Sequence, residues 1–370
     1  MLIRIREVDL GLLLAVLVLV AIGIEMVYSA SFVVGYNEFG DGAYFLVRHV
    51  AWITLGLGAL VATATIDYHR WRRLALPLLL ASLCLLTVVL LLGAATYGSA
   101  RWLGFGLLAF QPSELTKLSL TLYLASWLAR VGDDIRNFNL GTVPFMLILC
   151  VAAGLVILEP DLGTAVILIL TACSIFFVAG ANVLHALAGT LVGAGVLALL
   201  TAVANLWGGS GYGSQRLLAF LDPWKYAEGI GWQTTQILLA LGSGGLTGLG
   251  LGAGRQKFYY VPNAHTDGIF AIVGEEIGFV GTALVLVLFL VIAWRGLRIA
   301  MAAPDPLGRF LATGLTALLV WQGLLNMAVV TSTVPYTGIP LPFISYGGSA
   351  MVTSLTAAGL LLSISRRRSP

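Results

Sequence analysis

The sequence predicts an all-α polytopic membrane protein. Of its 370 residues, 59% are hydrophobic and only 10% are charged, and the mean hydropathy is +0.97. Apolar runs of about 18 residues or more recur along the chain, and each is long enough to cross a hydrocarbon core of about 30 Å. A β-barrel would instead show alternating segments of about ten residues, which are absent. These observations exclude an ordinary soluble protein.

Ten apolar segments are predicted to span the membrane within one transmembrane domain, residues 1–370, and the breaks between them carry Gly, Pro or charge. The first segment lacks a small-residue cleavage site, so we interpret it as a spanning helix rather than a signal peptide. Cys84, Cys150 and Cys173 lie in apolar runs without metal-ligand spacing, and we expect them to be packing or lipid-facing residues. The segments cover about 9–31, 45–66, 74–95, 111–130, 142–158, 161–179, 182–205, 268–294, 307–331 and 342–364.

The charges orient this arrangement. With both termini in the cytoplasm, 13 of the 20 Lys and Arg residues fall on the inner side, in agreement with the positive-inside rule. The outer seven are not needed for topology. Salt bridges and loop solvation explain some of them, and an anionic ligand at the outer face would explain the rest. They are Arg48, Arg101, Lys117, Arg216, Lys225, Arg255 and Lys257.

One long outer loop, residues 206–267, separates the seventh and eighth segments, and a connection of that length in a compact bundle is usually functional. Within it, 232–241 is predicted to form a short interfacial helix, and the glycines of 242–254 indicate tight turns with close backbone approach. The stretch 255–281, RQKFYYVPNAHTDGIFAIVGEEIGFVG, concentrates charge where this loop meets the next helix. Such charge beside a bilayer is a functional hypothesis by default.

Asp267 ends the loop and admits two interpretations. It could cap the following helix, a role that Thr266 could share, or it could be a general base directed into an outer cavity. His265 could orient a substrate or Asp267, or be structural. Glu275 and Glu276 point about 100° apart on a helix, so we expect structural pairing, with one facing the bundle and a cation.

Further candidates lie near other outer helix ends. Glu114 and Lys117 are three residues apart, so they could form a structural pair, or Lys117 could face a phosphate while Glu114 fixes it. For the turn 159–161 (Glu-Pro-Asp), we expect solvated charges. The stretch 334–351, VPYTGIPLPFISYGGSAM, predicts a broken entry into the last helix that lines a cavity, where Ser345 and Tyr346 could present hydroxyls.

These segments resemble the SEDS family (shape, elongation, division and sporulation) of bacterial cell-wall proteins. The resemblance lies in YGSARWLGFGLLAFQPSELTKLSL, LEPDLGTA, QRLLAFLDPW, ILLALGSGGLTGLGLG, the stretch 255–281 and GIPLPFISYGGS, in that order along a ten-helix frame. The segments RQKFYYVPNAHTD and QRLLAFLDPW are more similar to FtsW than to RodA. The chain departs from the family at Asn263 and Gly268, where Glu and Phe are usual.

The resemblance implies a peptidoglycan glycosyltransferase. Members polymerise lipid II, a disaccharide-pentapeptide on undecaprenyl diphosphate, at the outer face of the bacterial cytoplasmic membrane, and the matching catalytic position is Asp267. The anionic diphosphate would account for the outer cations. The candidate substrate-binding residues are Arg48, Arg101, Glu114, Lys117, Arg216, Lys257, His265 and Ser345.

The implied partners are a class B penicillin-binding protein, which is a transpeptidase, and other division proteins of the membrane, with no nucleic acid. No cofactor is demanded, and no ligand cluster requires a metal, although Mg²⁺ or Mn²⁺ bridging the diphosphate is compatible with the sequence.

The alternative functions are a flippase of lipid-linked precursor, an elongation polymerase of the RodA type, or a scaffold that only recruits division proteins. A flippase would carry polar residues through the whole membrane depth, whereas here the inner helix halves are nearly free of charge.

Overall fold

The computed structural model describes residues 8–92, 110–181 and 219–367, together with positions 101, 103, 193 and 195. Within these residues the regular elements are helices, apart from an isolated bridge between Leu103 and Phe110. The helices are α1 Leu10–Phe39, α2 Tyr44–Thr65, α3 Tyr68–Trp71, α4 Ala75–Leu92, α5 Pro112–Val131, α6 Val143–Leu158, α7 Leu162–Val178, α8 Trp232–Gly244, α9 Ile269–Met301, α10 Pro306–Val330 and α11 Gly348–Ser365. A 3-10 helix (Gly132–Arg136) and a π-helical turn (Phe138–Thr142) precede α6.

Six helical segments of the described chain are long and apolar enough to cross a membrane, which confirms the all-α multi-pass class. They are Leu10–Phe39, Tyr44–Thr65, Phe138–Leu158, Ile269–Met301, Pro306–Val330 and Gly348–Ser365. Three other predicted segments coincide with α4, α5 and α7. The seventh, about 182–205, lies outside the described residues apart from positions 193 and 195, and the first part of the long loop lies outside them as well. In the rest of that loop, α8 confirms the helix predicted at 232–241, and its interfacial position stays a prediction.

Local sequence signals set the helix ends. The Asp9 carboxylate accepts the N–H of Leu12 at the start of α1, and Gly40 ends that helix with a left-handed φ of 72°. Asp305 caps α10 in the same way, with Pro306 in the first turn. The last helix begins at Gly348, later than predicted, because the prolines of the preceding segment lack the N–H groups that a helix needs.

Polar contacts join the first and last helices at one end of the bundle. At one end, the N–H of Asp9 donates to Ser365 Oγ at 3.2 Å, and Arg367 pairs with Asp67 at 2.7 Å. This places the start of α1 and the end of α11 on the same face. The apolar windows of α10 and α11 are 72% buried, so these two helices form the centre of the bundle.

Helix α9 is broken near its start, and the loop before it repairs the break. Gly278 has a φ of 77°, which interrupts the helical hydrogen bonds. The carbonyls of Glu275 and Glu276 accept the N–H groups of Leu249 and Gly250, each at 3.0 Å, while the N–H groups of 279 and 280 donate to the carbonyls of 245 and 246. The predicted close backbone approach in 242–254 is confirmed, because a Cβ at Gly248 would overlap the Glu276 carbonyl.

This close contact predicts that replacing two glycines of the same loop by Ala lowers the free energy of unfolding by different amounts. Gly248 (φ 78°) and Gly252 (φ 76°) share a left-handed backbone, but only Gly248 lies against other backbone atoms. Gly252→Ala should cost about 1–2 kcal/mol for the backbone conformation alone. Gly248→Ala should cost about 2–5 kcal/mol, because overpacking adds to that strain. Thermal unfolding of the purified variants in detergent measures the difference, and equal melting temperatures would contradict the docked loop.

Candidate active site

Asp267 lies at the junction between the loop and α9, but it does not cap the helix. The capping position is Gly268, and no side chain forms a capping hydrogen bond there. The Thr266 hydroxyl lies 2.8 Å from Asp267 Oδ1, and the Tyr336 hydroxyl donates to Asp267 Oδ2. The capping interpretation is therefore wrong for Asp267 and for Thr266. The carboxylate instead faces the segment between α10 and α11, residues 331–347, which we call the linker.

The linker passes close to the carboxylate because of one glycine. Gly338 has a φ of 69°, and a Cβ there would lie only 3.3 Å from Asp267 Oδ2. A side chain at this position would be strained and would crowd the carboxylate. The linker is not helical because its prolines cannot continue a helix, which agrees with the predicted broken entry into the last helix.

Two amides of α10 hold the linker and the backbone of Asp267 together. The Asn326 side chain donates to the carbonyl of Asp267 at 3.0 Å and to that of Ile339 at 2.7 Å. The Gln322 side chain donates to the carbonyl of Pro340 at 3.0 Å. The sequence analysis missed both amides, although their spacing of four residues in an apolar helix places them on one face. It also missed Tyr336, for which the sequence contains no signal.

Ser345 has a structural role in this arrangement. Its hydroxyl donates to the carbonyl of Thr266 at 2.6 Å and accepts the N–H of Leu341 at 2.7 Å. The side chain is buried, so its hydrogen bonds join the linker to the residue that precedes Asp267. Substrate binding by Ser345 would require these bonds to open.

His265 is enclosed by aromatic rings. Its ring centroid lies 4.6 Å from that of Phe45 and 5.4 Å from that of Tyr346, and its carbonyl accepts the Tyr346 N–H at 2.9 Å. Burial lowers the pKa of His265 to about 4. The imidazole is therefore neutral near pH 7, so it does not supply a positive charge to an anionic substrate.

Arg48 supplies a cation next to this cluster. Its guanidinium lies 4.0 Å from the centroid of the Tyr44 ring. Burial raises the pKa of the Tyr346 hydroxyl, and the Arg48 charge beside it partly offsets this rise. The Tyr346 ring and the linker connect these contacts into one region. That region contains Arg48, His265, Asp267 and Ser345.

Lys117 and Glu114 lie inside the bundle. Lys117 Nζ is 2.8 Å from Glu114 Oε1 and 2.6 Å from Gln322 Oε1, and both charged side chains are only 2% exposed. The predicted ion pair is therefore present. Because Gln322 also holds the linker, the pair is connected to the surroundings of Asp267. A phosphate could reach Lys117 only if this buried cluster opened.

Lys257 occupies a second buried cluster, which joins α1, α9 and the loop. Its three protons have three acceptors: Ser29 Oγ at 2.9 Å, the Gly252 carbonyl at 2.7 Å and Glu276 Oε1 at 2.8 Å. Glu275 accepts the N–H of Arg255 at 2.7 Å. The expected structural pairing is confirmed for Glu276, whereas Glu275 binds backbone N–H groups. Lys257 would reach a diphosphate only by leaving all three acceptors.

The turn between α6 and α7 corrects one expectation. Glu159 is fully buried, and neither of its carboxylate oxygens has a hydrogen-bond partner among the described residues. Burial raises its pKa to about 8, the neighbouring Asp161 adds to the rise, and Arg101 opposes it. The prediction of solvated charges is wrong because the start of α7 packs against the linker at Gly163 and Ile339.

Two predicted cations remain to be placed. Arg101 donates to the carbonyl of Glu159 at 2.9 Å and to that of Pro160, so it braces the turn between α6 and α7. Arg216 lies outside the described residues.

Elsewhere, an apolar groove of about 420 Å³ opens between α8, α9 and α10. Its lining includes Phe270 and Gly274 but not Asp267, and it offers no acid–base chemistry.

Curated relatives resemble this chain over nearly its whole length. It is 43% identical over 364 residues to the "Probable peptidoglycan glycosyltransferase FtsW" of Trichlorobacter lovleyi, covering 98% of this chain and 94% of the relative. It is 40% identical over 360 residues to "Stage V sporulation protein E" of Bacillus subtilis, covering 97% of each chain. It is also 38% identical to an Escherichia coli FtsW over 349 residues, covering 94% of this chain and 83% of that protein.

Solved structures share the fold. One, described as "Structural coordination of polymerization and crosslinking by a peptidoglycan synthase complex", has a TM-score of 0.78 and 31% identity, with 98% of each chain covered. The rod shape determining protein RodA of Thermus thermophilus has a TM-score of 0.71 and 29% identity, again with 98% of each chain covered. The identity to the FtsW relatives exceeds that to this RodA, as the loop segments predicted.

The FtsW, RodA and SpoVE family, described as "Cell cycle protein", matches residues 10–370. The chain therefore belongs to this family and is FtsW-like.

Proposed function

We propose that this protein is a peptidoglycan glycosyltransferase that polymerises lipid II for septal wall synthesis, with Asp267 as its general base. One observation supports the role of Asp267 most directly. Its carboxylate is held by two hydroxyls beside the linker instead of capping a helix. The relatives named peptidoglycan glycosyltransferase FtsW support the activity.

The proposed reaction needs one base and a stable leaving group. Asp267 removes the proton from the 4-hydroxyl of the acceptor sugar as that oxygen attacks the anomeric carbon of the donor. The bond between this carbon and the diphosphate breaks, and the configuration inverts. Undecaprenyl diphosphate leaves with the bonding electrons, and its charge is spread over the phosphate oxygens, so it needs no strong general acid.

The leaving diphosphate is stabilised by positive charge near the site. Arg48 is the best placed of the proposed cations, because its guanidinium is half-buried beside the aromatic cluster. Arg101, Lys117, Arg216 and Lys257 remain proposals, as does a bridging Mg²⁺ or Mn²⁺. Among the described residues, no three His, Cys, Asp or Glu side chains are grouped to hold a metal ion.

We propose that the Asp267 end of the bundle faces outward from the bacterial cytoplasmic membrane. The start of α1 and the end of α11 share the opposite face, which supports two cytoplasmic termini and an even number of crossings. The remaining predicted span and the resulting count of ten belong to this proposal.

We propose that a class B penicillin-binding protein, a transpeptidase, is the working partner of this chain, together with other division proteins of the membrane. A related structure concerns the coordination of polymerization and crosslinking in a peptidoglycan synthase complex, which supports a crosslinking partner.

Asp267→Asn should lower lipid II polymerisation about 10²- to 10⁴-fold while leaving the fold intact, because an amide cannot accept the proton. Purified protein with its cognate transpeptidase provides the assay, and Asp41→Asn, an exposed carboxylate in the α1–α2 turn, is the matched control. Polymerisation at the wild-type rate by Asp267→Asn would remove Asp267 as the base. Absence of glycan chains from the wild type, with lipid II translocation in proteoliposomes, would favour the flippase alternative.

Tyr336→Phe should lower kcat about tenfold to a hundredfold with little change in KM, because it removes a hydrogen bond that orients the charged base. Tyr259→Phe, at an exposed loop tyrosine, is the control. Steady-state kinetics over a range of lipid II concentrations separates the two constants. A change confined to KM would place Tyr336 in substrate binding instead.

Lys117→Met should destabilise the protein by about 3–5 kcal/mol, because it leaves Glu114 buried without its cation. Adding Glu114→Gln should recover most of the melting temperature, because no uncompensated charge is then left buried. If Lys117 acts only by supporting Gln322 and the linker, polymerisation recovers as well. Melting temperature and activity are measured on the same preparations. A stable double variant that makes no glycan would show that Lys117 binds the substrate.

A further inference from the structure

The outward face of α1 carries a regular seam with one carboxylate in it. Six exposed residues recur at alternating intervals of four and three, the spacing of a left-handed helix pair. We call them the α1 seam: Leu14, Val18, Ala21, Glu25, Tyr28 and Phe32. The other side of α1 packs against α2, α9 and α11.

Glu25 lies at membrane depth. From Leu10 to Asn37 it is the only Asp, Glu, Lys, Arg or His. About 20 helical residues cross the hydrocarbon core, and every window of that length between these two residues contains Glu25. In each such window Glu25 is at least four residues, about 6 Å, from either edge. The carboxyl group therefore lies within the apolar layer.

The described part of the chain offers this carboxyl group no hydrogen bond or ion pair, and its side chain is exposed. An ionisable residue at this depth is costly unless it meets a polar partner. A partner from outside the described bundle is therefore required, and the seam gives the surface on which a second helix would pack.

We propose that a second copy of this chain packs on the α1 seam, with the two Glu25 side chains facing each other across a two-fold axis. Two copies have the same orientation in the membrane, so their Glu25 residues lie at the same depth without further adjustment. Two carboxyl groups that share a proton are also self-complementary, since one donates and the other accepts. Ala21, the preceding residue of the seam, allows the helices to approach closely.

The first test is the oligomeric state of the full-length protein in lipid nanodiscs, measured by mass at several protein-to-disc ratios. The wild type should form dimers. Glu25→Leu should weaken dimerisation about threefold to twentyfold, the range for interhelical hydrogen bonds in membranes. Glu25→Gln should retain the dimer, because an amide both donates and accepts. A monomeric wild type, or dimers unaffected by Glu25→Leu, would overturn the proposal.

The second test locates the contact by disulfide crosslinking. Cys84, Cys150 and Cys173 are free, so they are first replaced by Ala. Ala21→Cys should then give crosslinked dimers in membranes under oxidation, whereas Val47→Cys, exposed on α2, should not. Equal crosslinking at both positions would indicate random collision and contradict the seam. Because neither test uses polymerisation, failure of the proposed enzyme activity would not affect either result.

Discussion

The structure depends on the hydrogen bonds that pair the backbone groups of helix α9 at its break. At the Gly278 break, α9 exposes carbonyl and N–H groups that lipid cannot satisfy, and each unpaired group would cost several kcal/mol. The loop residues 245–250 accept and donate the missing hydrogen bonds. The glycines of that loop are needed because only a chain without side chains can lie so close to α9.

Two buried ion pairs extend this support to the candidate site. Lys257 and Glu276 fix the loop against α1, while Lys117 and Glu114 support Gln322, which holds the linker. A buried pair of this kind contributes little net stability, but removing one partner is costly because the other charge is left uncompensated. Two of the cations that the sequence offers to a diphosphate, Lys117 and Lys257, thus contact groups of the protein that support the linker and the loop.

The apolar runs were sufficient to predict most helices, because membrane spans carry their signal in composition alone. The charge cluster before α9 located Asp267 for a similar reason, since charge is rare in this chain. The partners of Asp267 could not be predicted. Tyr336 approaches it from a linker almost 70 residues later, and the burial of Glu159 depends on how α7 packs against that linker. Such contacts arise from tertiary packing and leave no periodic pattern in the sequence.

The repair of α9 has a consequence for biogenesis. The residues that complete the broken helix, 245–250, precede it in the chain, and synthesis proceeds from the N-terminus. The ribosome therefore releases the repairing loop before the helix that needs it. Helix α9 can therefore enter the bilayer when the residues that complete its hydrogen bonds at Gly278 have already been synthesised.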